Sequence, residues 1–96
     1  MAFEYLSVTV ASAGTAQQIS TSSLGVLSVV IRAKPGNTGN VFLGGSTVGN
    51  TLGGVEPGLE MDISADFPMT SGIDLSDIYE NAATTNDGID VWYTTL

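Results

Sequence analysis

Apolar and polar residues alternate with a period of two along much of this chain, and the period is clearest in residues 26–48, VLSVVIRAKPGNTGNVFLGGSTV. Leu27, Val29, Ile31 and Ala33 fall on one face and Val26, Ser28, Val30 and Arg32 on the other, as a pleated strand requires. The β-branched content favours strand over helix. Pro35 presets the φ of turn position i+1, and Gly36 can supply the positive φ of a type II turn at i+2. The chain reverses there, residues 37–40 form a polar tip, and Val41, Phe42 and Leu43 resume a strand that stops at Gly44 and Gly45. The expectation is a hairpin around which the other strands are arranged.

The same pattern predicts the remaining elements. Leu6, Val8 and Val10 share a face in a first strand over residues 3–10, with Phe3, Tyr5, Ser7 and Thr9 opposite. Residues 15–20 form a weak second strand, Gln17 and Gln18 lying at an edge and Ile19 pointing inward. Frequent glycines make residues 44–58 a tight surface loop. Glu56-Pro57-Gly58 repeats the turn chemistry of Lys34-Pro35-Gly36 and launches a strand with Leu59, Met61 and Ile63 inward and Glu60, Asp62 and Ser64 outward. Residues 65–72, with Phe67 and Met69 around Pro68, are expected to plug one end of the fold. Asp74 is an N-cap for a short helical turn, residues 77–80 a strand, and Asp87-Gly88 a hairpin signal. Ile89, Val91 and Tyr93 alternate with Asp90, Trp92 and Thr94 in a closing strand.

About seven short strands with turn signals between them and no convincing helix predict an all-β fold, a small antiparallel β-sandwich of jelly-roll-like form. The expected core is Leu6, Val8, Leu27, Val29, Ile31, Val41, Leu43, Leu59, Met61, Ile63, Ile78, Val91 and Tyr93. At 96 residues the chain reads as one domain, 1–96, with residues 1–5 as an N-terminal arm. A domain of this length buries only about 60–70% of its unfolded surface. Cys and His are absent, so neither disulfides nor the usual zinc ligands supplement the core, and oligomerisation is the remaining supplement. The absence of the Cys, Trp, Cys spacing also argues against an immunoglobulin domain.

Charge narrows the partners. Ten acids against two bases give a net charge of −8, which repels phosphate backbones and disfavours nucleic acid. No apolar run approaches the ~20 residues of a membrane span, and the sequence opens without the positive charge of a signal peptide. Synthesis in a cytoplasm follows as the expectation.

The sequence offers little chemistry. Without His, a nucleophilic Ser or Thr would need a carboxylate or Lys34 as its base, and Lys34 reads as a solvated strand end. A carboxylate pair for glycoside hydrolysis could be drawn from Glu60, Asp62, Asp74, Asp77 and Glu80, but these fit solvent faces and turns better. Calcium could draw on Asp74 with Asp77, or on Asn86, Asp87 and Asp90, without following a known loop pattern. The glycines lack the ending of a phosphate loop. Trp92 and Tyr93 could stack on a sugar ring, although core or interface packing is the commoner use of such residues. The reading is therefore no enzyme, no catalytic residues, no metal and no cofactor.

One anomaly points to a partner. Val26 and Val30 oppose Leu27, Val29 and Ile31 on one strand, and Phe3 and Tyr5 oppose Leu6 and Val8 on another, so both faces carry apolar residues. A symmetric partner would cover the second face. Candidate subunit or partner contacts are Ala2, Phe3, Tyr5, Val26 and Val30, with Gly45, Ser46 and Asn50 in the glycine-rich loop, where small residues allow close approach.

The stretches VVIRAKPGNTGNVFLGGSTV, GVEPGLEMDI, IDLSDIYENA and GIDVWYTT together resemble a small domain of tailed bacteriophages and prophages, over residues 26–95. Phe42 and Leu43 stand where that domain runs Val-Tyr-Val-Gly, and a longer glycine-rich loop follows. The resemblance implies a jelly-roll-like virion structural protein of the capsid decoration, or cement, type. It would be made in the host bacterial cytoplasm and carried on the capsid exterior, with the major capsid protein and itself, as a homotrimer, for partners. The alternative it leaves open is a tail- or fibre-associated binding module, with carbohydrate as a candidate ligand.

Overall fold

The computed structural model describes residues 3–64 and 73–95 and is an antiparallel β-sandwich. Eight strands follow in order: β1 (Phe3–Thr9), β2 (Gln17–Gln18), β3 (Gly25–Ala33), β4 (Val41–Gly44), β5 (Glu60–Ser64), β6 (Ile73–Asp74), β7 (Tyr79–Ala82) and β8 (Gly88–Thr95), with one 3₁₀ turn at Leu75–Asp77. The larger sheet has the order β1-β8-β3-β5, with β6 also paired to β3, and the smaller sheet has the order β2-β7-β4. The expected plug at residues 65–72, the side chain of Ile63 and the contact residue Ala2 lie outside the described residues.

Val10, Ile19, Val29, Ile31, Ala33, Val41, Leu75, Ala82, Ile89 and Val91 are buried between the sheets, and Leu6, Val8, Leu43, Ile78 and Tyr93 pack partly against them. Ile31 sits opposite Val91, so from Val29 onward the inward parity of β3 and that of β8 are the ones the alternation predicts, whereas Leu27, expected in the core, is only half-buried. Asp74 caps the 3₁₀ turn as expected, accepting from the Ser76 backbone N–H, and Gln17–Gln18 lies at an edge, with Ile19 buried beside it.

Four expectations are corrected. The first concerns the hairpin: β3 pairs with β8, β5 and β6, whereas β4 pairs with β7, so residues 34–40 form an arch from one sheet to the other. The Asn37 N–H does bond the Lys34 carbonyl at 3.0 Å, but Gly36 does not adopt a positive φ, so this is not the type II turn expected. The second Pro-Gly turn is of that type, with Gly58 at φ 84° and the Leu59 N–H on the Glu56 carbonyl at 3.0 Å.

The second correction is Val26. A register shift between Val26 and Ser28 turns its side chain inward, so it is fully buried in the core and cannot be a subunit or capsid contact. Third, Leu59 belongs to the turn before β5 and is 53% exposed, not core. Fourth, Phe3, Glu4 and Tyr5 do not form an arm: they pair with Thr94, Tyr93 and Trp92.

The arch is fastened by side chains that mimic backbone. Asn37 donates to the Gly88 carbonyl and accepts from the Gly88 N–H, both at 2.9 Å, and the Asp87 carboxylate accepts the Thr38 and Gly39 N–H groups at 2.9 Å each. Nothing larger than glycine fits at 88, because a Cβ there would lie 2.4 Å from the Val8 carbonyl oxygen.

The two outer faces differ. Over the smaller sheet the glycine-rich loop folds back, with Asn81 Nδ2 bonding the Val48 carbonyl, Asn50 Nδ2 bonding the Ala82 carbonyl, and Asn81 Oδ1 accepting the Gly14 N–H. That face is covered by its own chain. Among the described residues no segment folds over the outer face of the larger sheet, which holds the candidate site.

Candidate partner-binding face

The register across β1, β8 and β3 lays side chains of the outer face in rows. Tyr5 lies opposite Trp92, which lies opposite Val30, and Ser7 lies opposite Asp90, which lies opposite Arg32. Glu60 of β5 extends the second row beyond Arg32. Strand alternation puts each of these residues outward, and only the order of the strands brings them together.

Asp90 is the hub. Its Oδ1 accepts from the Tyr5 hydroxyl at 2.6 Å and its Oδ2 accepts from Arg32 Nη2 at 2.7 Å. The guanidinium carbon sits 5.2 Å from the centre of the Trp92 ring, within cation–π range. Tyr5 leans on the same ring with centroids 5.4 Å apart and planes at 46°. Burial pushes the Asp90 carboxyl up, but the Tyr5 and Arg32 hydrogen bonds and the cationic neighbours outweigh it, and the net shift is downward. The bond to Asp90 raises Tyr5 in turn. Lys34 Nζ donates to Ser7 Oγ at 2.5 Å, so both bases of the chain belong to this face.

Phe3, Val30, Arg32, Glu60 and Trp92 line an open groove of about 410 Å³. Phe3 is 73% and Tyr5 53% exposed. Two aromatic side chains and a valine thus line the groove together with one cation and one carboxylate. Arg32 Nε is buried there without a hydrogen-bond partner, so the guanidinium is not saturated by Asp90. Chemically, the face can dock an apolar or flat surface and offer charged hydrogen bonds at its rim.

Of the expected contact residues, the fold brings Phe3, Tyr5 and Val30 together on this face. Gly45 and Ser46 are exposed in the loop over the smaller sheet, and Asn50 is spent on the Ala82 carbonyl. Those three belong to a different surface. Tyr93 turns inward, so the paired stacking imagined for Trp92 and Tyr93 falls to Trp92 and Tyr5 instead.

Of the acids considered for metal or catalysis, Asp74, Asp87 and Asp90 are engaged in structural bonds, while Glu60 and Asp77 are exposed. Asp74 receives the Ser23 hydroxyl, the Leu24 and Ser76 N–H groups and the Ser76 hydroxyl, which hold its carboxyl well below the ordinary range. Asp87 binds the arch. No cluster of three or more metal-ligating acids occurs among the described residues. Glu80 differs from all of these: it is fully buried, neither carboxyl oxygen has a hydrogen-bond partner, and burial raises its pKa to about 8 despite the opposing field of Lys34.

Sequence reasoning missed Asp90 as a hub and Arg32 as its partner. Their outward parity was readable, but the adjacency of β1, β8 and β3 was not. No protein-family model, curated protein or solved structure matches the chain.

Proposed function

We propose that this chain is a structural protein of a tailed-phage virion, a decoration or cement protein that binds the assembled head and reinforces it. The observation that carries the reading is a face that exposes Phe3 and Tyr5 beside half-buried Trp92 and Val30, on a small domain whose opposite face is closed by its own loop. Such a face suits docking. The resemblance over residues 26–95 supplies the virion and the major capsid protein as partner. A binding role, with no catalysis and no cofactor, also agrees with the engagement of Asp74, Asp87 and Asp90 in structural bonds. The Lys34–Ser7 pair does not make a nucleophile and base, because Ser7 lies exposed on a flat strand and a lysine serves as a base where it is desolvated.

Contact through the aromatic face is mostly apolar, so attachment should survive a rise from about 0.1 to 0.5 M salt. The test is co-sedimentation of the purified protein with undecorated heads. Wild type should bind, and Trp92→Ala should weaken binding on the order of 30-fold or more, as loss of a central aromatic anchor does. Cryo-microscopy placing the protein only on the tail would refute head binding and favour the tail-associated module. For that second reading the groove beside Trp92 is the specific support, since a half-buried indole with polar groups at its rim suits a sugar ring.

A further inference from the structure

The edges of the two sheets are unequally protected. β2 is two residues long. The free side of β4 is closed at Val41 by reciprocal backbone bonds with Val55 at 3.1 and 2.7 Å. β5 carries Glu60 and Asp62 within five residues, and charge on an edge strand discourages further pairing. β1 has none of these devices in residues 3–7: it pairs without a bulge along all seven residues, contains no Pro, and has Glu4 as its one charge.

The direction of its free backbone groups follows from the next residue. Val10 bonds toward β8 through its N–H to the Asp87 carbonyl and its carbonyl to the Asn86 N–H, at 2.8 and 2.9 Å. By antiparallel alternation, the N–H and C=O groups of Thr9, Ser7, Tyr5 and Phe3 then point away from β8. The side chain of Gln17 corroborates this, because its amide donates to the Thr9 carbonyl at 2.9 Å and accepts the Ala11 N–H at 3.0 Å. A glutamine thus stands in for a neighbouring strand at the Thr9 end and stops there.

We propose that residues 3–7 of β1 form a docking edge for a second copy of this chain, paired antiparallel about a twofold axis through Tyr5. The segment is self-complementary. Phe3 pairs with Ser7 of the second copy, Tyr5 with Tyr5 and Ser7 with Phe3, so the outward groups of all three residues are used on both chains. Glu4 falls opposite Leu6, which keeps the two Glu4 carboxylates from facing each other despite the charge of −8 per chain. The register also sets Tyr5 beside Tyr5 on the open face and joins the two aromatic faces into one continuous surface. A twofold dimer takes the place of the threefold assembly that the phage resemblance implies. The inference does not rest on head binding, which the co-sedimentation measures separately.

Sedimentation equilibrium from micromolar to submillimolar concentration should give the mass of two chains at the upper end, and amide exchange at Phe3, Tyr5 and Ser7 should slow on the order of tenfold or more over that range. Glu4, Leu6 and Val8, already bonded to β8, should not change. Ser7→Pro removes an outward N–H and no bond to β8, so it should leave a folded monomer. A wild-type monomer throughout, a trimer, or a Ser7→Pro dimer would overturn the proposal. If the proline variant fails to fold, the wild-type amides decide: protection at Phe3, Tyr5 and Ser7 that does not depend on concentration refutes it.

Discussion

Two buried acids sit on the middle strands of the two sheets and meet opposite fates. Asp90, on β8, faces the open side and is bonded by Tyr5 and Arg32, with its carboxyl held below the ordinary range. Glu80, on β7, shares its face with Ala82, opposite Leu43 and Val41, and so points between the sheets, where no donor meets it. Burial raises it to about 8. The residue types are nearly the same. The difference lies in whether donors reach the carboxylate once water has been removed, and it gives the two groups opposite effects on stability as pH changes.

The strongest way to break the contrast is through Glu80. With its folded pKa above its unfolded one, the folded state holds the extra proton between about pH 4.5 and 8, so stability falls as pH rises through that window. The full loss is on the order of 5 kcal/mol. Glu80→Gln cannot ionise and should lack this slope, making it the more stable protein at pH 8 in urea unfolding. An identical pH dependence in the two proteins would show that Glu80 is not buried as a neutral acid. Asp90→Asn is expected to act in the other direction, costing about 1–3 kcal/mol at pH 7 through weakened bonds to Arg32 and Tyr5. Because the Asp90 pKa is depressed on folding, its contribution is present above the unfolded value near 3.9 and lost in more acid solution. The difference between wild type and Asp90→Asn should therefore shrink below about pH 4.

Smaller changes sharpen the account of Asp90. Tyr5→Phe removes one of the two bonds that lower its pKa and should lower the thermal midpoint slightly, with a carboxyl titration in NMR that moves upward. Arg32→Lys keeps a charge but loses the planar group over Trp92. Arg32 is 35% exposed, so the expected cost is below about 1 kcal/mol, visible as a small drop in thermal midpoint together with a shift in Trp92 fluorescence.

Much of this architecture was legible in the alternation. Ile31, Val91 and Ile19 point inward where their parity puts them, and Asp74 caps the turn its position suggests. Glu80 was equally legible in principle, because it shares parity with Ile78, which was expected in the core, yet an acid reads by default as solvated. Val26 was not legible: the register shift beside it changes the parity of β3, and no residue type announces that shift. The Pro35-Gly36 turn reveals a reversal but not its destination, which depends on Asn37 and on Asp87, some fifty residues later, fastening the arch across the sandwich. The candidate face suffers the same limit. Arg32, Asp90 and Trp92 become neighbours only because β8 inserts between β1 and β3.

That insertion also sets an order of events during synthesis. β8, one of the two inner strands of the larger sheet, is the last of the eight strands among the described residues to leave the ribosome, while β1, its neighbour on one side, is the first. Until β8 emerges, β1 has no partner in the larger sheet, β3 lacks one of its two long neighbours, and the arch has no Asp87 or Gly88 to hold it. A nascent chain ending anywhere before residue 88 therefore presents the backbone of β1 to solvent on both sides, available to other nascent chains on the same message. Closure of the sandwich must be a late step, taken by the chain as a whole.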